Sequence, residues 1–275
     1  MKKNTNTRIK ETIGLIGAGN MGTAILEGLF RKGLASPSQV WVTDKAVAKA
    51  KAFCKRWKTK FAADHRDLIR RSEIILLAFK PQDLASLAGA AGELTGRHIL
   101  MTILAGTPIA RIARTTGGGA KVVRAMPNLG ARIGESVTAV TGSDRHAVRL
   151  AERIFSGCGS TVRLPEDTFD AVTAVSGSGP AYFFLLMELL MKEAVERGIG
   201  EKQARVLAVQ TAVAAAMLAK ASDEKPEDLR LRVTSKGGTT EAALKAFDRA
   251  DFAGIFHHGI DAAVLRGKEL SEGSF

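Results

Sequence analysis

Cysteine is nearly absent: the 275 residues hold only Cys54 and Cys158, with no C-x-x-C spacing. That excludes a disulfide framework and fits a reducing compartment, so a cytoplasmic location is expected. Aromatic residues are scarce as well, 5% of the chain with two Trp and one Tyr. Few platforms exist on which bases could stack, so no nucleic-acid partner is expected despite the basic balance. The five histidines, His65, His98, His146, His257 and His258, form no pair at i, i+4 with carboxylate or Cys company, and no metal site is expected. The longest weakly polar stretch, 206–219, is broken by Gln210 and Thr211 and falls short of the ~20 apolar residues of a membrane span. A soluble protein with no membrane partner is expected. Met1-Lys-Lys ahead of an apolar stretch at 13–26 imitates a signal peptide, but the stretch carries four glycines and Asn20, unlike an h-region.

What is present is ordinary globular composition, 45% hydrophobic and 25% charged, over a length that suggests two domains. Forty Lys and Arg against 28 Asp and Glu give +12, with local clusters at 49–60 and 66–71. Such a field favours an anionic ligand and reads as a solvated basic face around a phosphate-bearing cofactor.

From Thr12 to about Arg163, short β-branched runs alternate with amphipathic stretches, the pattern of a parallel sheet built from βαβ units. Strands are predicted at 12–17, 40–43, 59–61, 74–79, 98–102, 121–124, 136–140 and 161–163. Helices are predicted at 21–31, 46–57, 64–70, 81–90, 108–114 and 145–155. Beyond Pro165 no strand is evident, and helices are predicted at 166–175, 180–197, 201–220, 226–234, 240–247 and 252–270. The fold class is therefore α/β, an N-terminal Rossmann-type doubly wound sheet (1–164) joined to a C-terminal all-α domain (165–275). Residues 201–220 are apolar on nearly every side, which calls for cover from a second chain.

Directly after the first predicted strand stands Gly17-Ala-Gly19-Asn-Met-Gly22, opening a helix. Gly17 allows the tight turn, Gly19 the approach of a pyrophosphate, and Gly22 close packing of helix on strand. Asp44 ends the second strand at the distance where an acidic residue meets ribose hydroxyls. Its carboxylate would repel a 2′-phosphate, whereas Lys45 or Lys49 could neutralise one. NAD and NADP both remain open on spacing alone.

Together with Ala78-Phe-Lys80-Pro81, Arg124-Ala-Met-Pro-Asn128, Val175-Ser-Gly-Ser-Gly-Pro-Ala181 and Val233-Thr-Ser-Lys-Gly-Gly-Thr-Thr240, this motif resembles the pyrroline-5-carboxylate reductase family over roughly residues 11–270. The resemblance implies hydride transfer from NADPH, with NADH also accommodated, to the C=N bond of 1-pyrroline-5-carboxylate, giving L-proline. It implies cofactor contacts at Gly17, Gly19, Asn20, Met21, Gly22, Asp44, Ala78, Lys80, Pro81 and Asn128. It implies a loop for a small cyclic imino acid at Val233, Ser235, Gly237, Gly238, Thr239 and Thr240, with the Thr240 hydroxyl near the imine nitrogen and Ser235 as the second catalytic candidate. It also implies a homodimer, or a higher assembly of dimers, through the helical domain. On the residues alone, Gly-Gly-Thr-Thr before Glu241 reads as a helix start sooner than as a substrate loop.

The chain departs from the family pattern in three places: Leu129-Gly130 stands where Thr-Pro is usual, Lys236 where Pro is usual, and Asp64-His65 where an Asn often contacts the cofactor. Two other readings fit the same architecture. A 3-hydroxyacid dehydrogenase of the 6-phosphogluconate type would want a catalytic Lys soon after the Gly177–Gly179 turn, but Tyr182–Met187 is apolar and Lys192 lies far down the helix. A noncatalytic NAD(P) sensor would not need Ser235–Thr240.

Overall fold

The computed structural model describes residues 8–272. They fall into two compact units, one running to Gly177 and resuming at Ala263, the other spanning Ser178–Ala262.

In chain order, the first unit holds β1 (Ile13–Ile16), α1 (Asn20–Arg31), β2 (Val40–Thr43), α2 (Val47–Trp57), β3 (Lys60–Phe61), α3 (His65–Arg70) and β4 (Ile74–Leu77). It continues through β5 (Ile99–Thr102), α4 (Ile109–Thr115), β6 (Lys121–Met126), β7 (Ser136–Gly142), α5 (Arg145–Phe155), β8 (Gly159–Arg163) and the single turn α6 (Phe169–Val172). The strands form one sheet in the order β3-β2-β1-β4-β5-β6-β7-β8. Alternation along each strand divides the side chains between two cores. Ile13, Leu15, Val42, Leu76, Met101 and Val123 pack with α1, α2 and α5 on one face, while Ile16, Ile75, Leu77 and Leu100 pack with Leu68, Leu87 and Ile112 on the other. Burial on both faces is what the near-continuous apolar strands require.

Two expectations need correction. Pairing is not parallel throughout: β6 and β7 run antiparallel, because residues 127–135 alone separate them and a parallel crossover takes a dozen or more. The predicted helix at 81–90 is a 3₁₀ run, Pro81–Glu93. Its buried residues, Leu84, Leu87 and Ala90, recur every third position, matching the three-residue turn in which i and i+3 eclipse.

The second unit is helical: α7 (Gly179–Glu196), α8 (Glu201–Ala221), α9 (Pro226–Arg232), α10 (Thr239–Arg249) and the first part of α11 (Phe252–Glu272). Tyr182 and Phe256 meet edge to face at 6.0 Å. Within this unit only Gly179, Ala204 and Ala208 are buried, while Phe183, Phe184, Leu190, Val206, Met217 and Leu218 are each more than half exposed. Contiguous apolar surface of this kind marks an association face. The expectation that 206–219 falls short of a membrane span also needs correction. Helical residues 166–196 and 201–221 are both long and apolar enough to cross a membrane by length and composition, with mean hydropathy 1.3 each. Alanine carries the apolar character on past the polar interruptions Gln210 and Thr211.

Candidate active site

The sheet order sets the position of the cleft. The chain starts at β1, builds outward through β2 and β3, then returns to β4 on the other side of β1. The connections after β1 and β4 therefore diverge at the carboxyl ends of adjacent strands, the switch point at which open α/β sheets hold ligands.

Gly17 follows β1 with φ of +102°, and a β-carbon there would lie 2.6 Å from the carbonyl carbon and oxygen of Ala78 after β4. Only glycine satisfies both the angle and the approach. A β-carbon on Gly22 would meet the Gly17 carbonyl oxygen at 2.5 Å, so α1 sits directly against the turn. Gly19 is different. It precedes α1 with φ −79° and ψ −178°, and a β-carbon there would meet nothing within 4 Å. The backbone thus leaves an open cradle at the N-terminus of α1, where Asn20 is exposed and unpaired N–H groups and the helix dipole favour a phosphate. The residues present fit a dinucleotide pyrophosphate.

The end of β2 braces this turn. Gly17 N–H donates to the Thr43 carbonyl at 2.9 Å, Ala18 N–H to Asp44 Oδ2 at 2.6 Å, and Ala46 N–H to Asp44 Oδ1 at 2.7 Å. Each carboxylate oxygen keeps a further lone pair. Asp44 is therefore a clamp on the glycine turn as well as the acidic residue found by spacing.

Two adjoining cavities open here. One, of about 500 Å³, is lined by Gly17, Gly19, Asp44, Lys45, Ala78 and Lys80. The other, of about 390 Å³, brings Met21, Ala78, Lys80 and Pro81 together with Met126 and Asn128. Nine of the ten expected cofactor residues lie on these walls or in the glycine turn between them. The tenth, Asn20, opens α1. Sequence reasoning missed Asp83 and Ser86 in the first cavity and the backbone after β5, Ile103–Ala105, in the second. The switch-point rule could have found the latter, since it applies to every strand end beside the crevice. His65 lines the first cavity, its Nδ1 3.4 Å from the Ser86 carbonyl oxygen, and Asp64 caps α3 by accepting from Asp67 N–H.

Asn128 is held from three directions. Its Oδ1 accepts from Gly130 N–H at 3.0 Å, its backbone N–H donates to Ser136 Oγ at 3.1 Å, and its Nδ2 reaches Ser176 Oγ at 3.4 Å. The unusual Leu129-Gly130 thus forms the start of a capped 3₁₀ turn. Beneath it, the buried Arg124 lies over the Phe169 ring at 4.8 Å and pairs with Glu166 at 3.4 Å. Glu166 also accepts from Ile109 N–H, the first of α4, at 2.7 Å. Burial holds the Arg124 guanidinium below its ordinary pKa, opposed by Glu166.

In the helical unit, Val233 ends α9 and is exposed. The chain then turns through Ser235–Gly238, Gly238 N–H donating to the Ser235 carbonyl at 3.0 Å, with Gly237 at φ +73°. Gly238 precedes α10, and no side chain caps the helix. The N–H groups of Thr239, Thr240 and Glu241 therefore have no intrahelical partner. Glu241 reaches back to Gly237 N–H at 2.8 Å, a bond that holds its carboxyl below the usual range. Ser235, Gly237, Thr239 and Thr240 thus ring one helix start, able to receive a carboxylate and to offer hydroxyls beside it. Among the described residues no group of three His, Cys, Asp or Glu could hold a metal ion.

Comparison with known proteins identifies the family. Residues 166–270 match the profile for pyrroline-5-carboxylate reductase dimerisation, and residues 12–106 match that for coenzyme F420-dependent NADP oxidoreductases. The chain is 33% identical to a pyrroline-5-carboxylate reductase of Methanosarcina acetivorans, covering 95% of this chain and 98% of that one. It is 36% identical to the enzyme of that name from Synechocystis, covering 94% and 98%. A solved pyrroline-5-carboxylate reductase from Coxiella burnetii superposes with TM-score 0.90 at 31% identity, covering 96% and 99%. A Plasmodium falciparum pyrroline carboxylate reductase solved with NADP bound shares the fold at TM-score 0.84 and 24% identity, covering 96% and 99%. With full-length likeness at this level, and a helical unit whose apolar faces suit the dimerisation profile, the chain belongs to the pyrroline-5-carboxylate reductase family.

Proposed function

We propose that this protein reduces the C=N bond of 1-pyrroline-5-carboxylate to give L-proline, using NADPH and, less selectively, NADH. The observation that carries the reading is the start of α10, which no side chain caps, so that three N–H groups of its first turn have no intrahelical partner in a segment that also carries the hydroxyl residues Ser235, Thr239 and Thr240. Residues 1–164 form the dinucleotide-binding domain and 165–275 the substrate-binding and dimerisation domain. Gly17, Gly19, Asn20 and Met21 hold the pyrophosphate end, while Ala78, Lys80, Pro81 and Asn128 border the nicotinamide end. Reduced nicotinamide, when bound, supplies the hydride that reaches the imine carbon. Ser235, Gly237, Gly238 and Thr239 receive the substrate carboxylate, and Val233 borders the ring. The Thr240 hydroxyl is too weak an acid to give up its proton outright at neutral pH. It donates a hydrogen bond to the imine nitrogen and relays a proton from water as that nitrogen becomes an amine.

Family membership sets aside the 3-hydroxyacid dehydrogenase reading. The exposed apolar faces of α7 and α8 support a homodimer or an assembly of dimers, and the two free cysteines support a reducing compartment such as the cytoplasm. The test is purified protein with NADPH or NADH and 1-pyrroline-5-carboxylate, followed by loss of nicotinamide absorbance and chiral assay of proline. Cofactor binding without turnover would instead identify a sensor.

A further inference from the structure

The cofactor cavity contains an ion pair with no part in the chemistry above. Lys45 follows Asp44 on the β2–α2 connection, and Asp83 is the third residue of the 3₁₀ run after β4. Both line the 500 Å³ cavity, approaching it from the two sides of β1. Their side chains meet, Lys45 Nζ lying 2.6 Å from Asp83 Oδ2. Lys49 lines the same wall and makes no ion pair among the described residues. The pair is superficial, with Lys45 76% and Asp83 29% exposed, so it exchanges with competing ions.

A phosphate on the adenosine ribose carries nearly two negative charges at neutral pH. To engage Lys45 it must displace Asp83 and sit beside a second carboxylate, that of Asp44. A ribose 2′-hydroxyl is neutral and leaves the Lys45–Asp83 pair intact. We propose that Asp83 is a specificity-determining residue: by occupying Lys45 it selectively weakens binding of the 2′-phosphorylated cofactor and so narrows the preference for NADPH over NADH. This inference rests on the reading of the cleft as a nicotinamide-dinucleotide site. The asparagine variant retains the backbone bonds that Asp83 makes to Lys80 and Ser86.

The test is equilibrium binding of NADPH and NADH to the full chain, read by nicotinamide fluorescence without substrate. Asp83→Asn is expected to tighten NADPH by roughly two- to fivefold, the range of an exposed ion pair, and to leave NADH unchanged. Lys45→Ala should weaken NADPH, and in that background Asp83→Asn should give no further gain. Equal effects on the two cofactors, or a gain that persists without Lys45, would overturn the proposal while leaving the cofactor site standing. Failure of the wild-type protein to bind either cofactor would overturn the reading of the cleft itself.

Discussion

Two glycines two residues apart in the same turn are expected to respond to alanine in opposite ways. At Gly17 the φ of +102° is strained for any side chain, and the new methyl would lie 2.6 Å from backbone atoms of Ala78. Those atoms are fixed by Ala78 N–H donating to the Ile16 carbonyl at 2.9 Å, so relief requires the ends of β1 and β4 to part. Strain of ~1–3 kcal/mol and overpacking of similar size sum to ~2–6 kcal/mol. At ~2–4 °C per kcal/mol for a chain near this size, Gly17→Ala should melt ~4–24 °C below wild type. Gly19 has backbone angles that alanine adopts freely and no neighbour for the methyl to strike. Losing glycine at the cap costs at most ~1 kcal/mol, and the lower entropy of the unfolded alanine chain returns ~0.4–1 kcal/mol. Gly19→Ala should therefore melt within ~2 °C of wild type. Its methyl would instead fill the cradle, weakening NADPH by roughly 5- to 150-fold if the overpacking amounts to ~1–3 kcal/mol. Circular-dichroism melts and fluorescence titrations of both variants test the contrast. Wild-type NADPH affinity in Gly19→Ala, or a wild-type melting temperature in Gly17→Ala, would refute the assignment of these two positions.

Thr240→Ala should lower kcat by ~10² to 10⁴ with NADPH affinity nearly unchanged, and Thr240→Ser should keep much of the rate; wild-type turnover in the alanine variant would move the role to Ser235. Val213→Glu, on an exposed apolar position of α8, should yield a monomer or insoluble chain in native mass measurements, and an intact oligomer would place the interface elsewhere. Glu166→Ala strands the buried Arg124 and leaves Ile109 N–H without its acceptor. A loss of ~2–4 kcal/mol in chemical denaturation is expected, below the fully buried range because Glu166 is 34% exposed. Burial pushes the Cys158 thiol up from 9.0 to about 11, so the fold favours its protonated form. That contribution is complete below pH 9, declines as pH rises from 9 and is gone above about 11. Cys158→Ala should flatten the fall in melting temperature across this window, and an unchanged slope would show that another group titrates.

Most strands were legible because they are short apolar runs whose faces are dictated by alternation; strand Val40–Thr43 coincides with its predicted bounds, and so does helix Arg145–Phe155. Direction was harder. Nothing in the composition of β7 marks it as antiparallel; the information lies in the shortness of 127–135, which weighs against a crossover only once β6 and β7 are known to be neighbours. The 3₁₀ run shows a different limit. Leu84, Leu87 and Ala90 fit helical periodicity as well as a period of three, and the buried register decides between them.

At the site, legibility follows how local each constraint is. Gly17, Gly19 and Gly22 could be read because one turn demands all three, and the strand and helix that flank them are adjacent in the chain. Asp44 was found by spacing, but its bond to Ala18 N–H joins positions 26 residues apart and could not be seen. Lys45 and Asp83 lie 38 apart, and no pattern in either segment points to the other. Ser235–Thr240 is ambiguous for another reason: the residue types that open a helix are also those that receive an anion, since both tasks need unpaired N–H groups and small hydroxyls. In the structure Glu241 reaches past the cap residue to Gly237, so the N–H groups of the first turn stay free. A helix start whose side chains bonded those groups would have no position left for a carboxylate, and that difference favours the substrate reading over a simple cap.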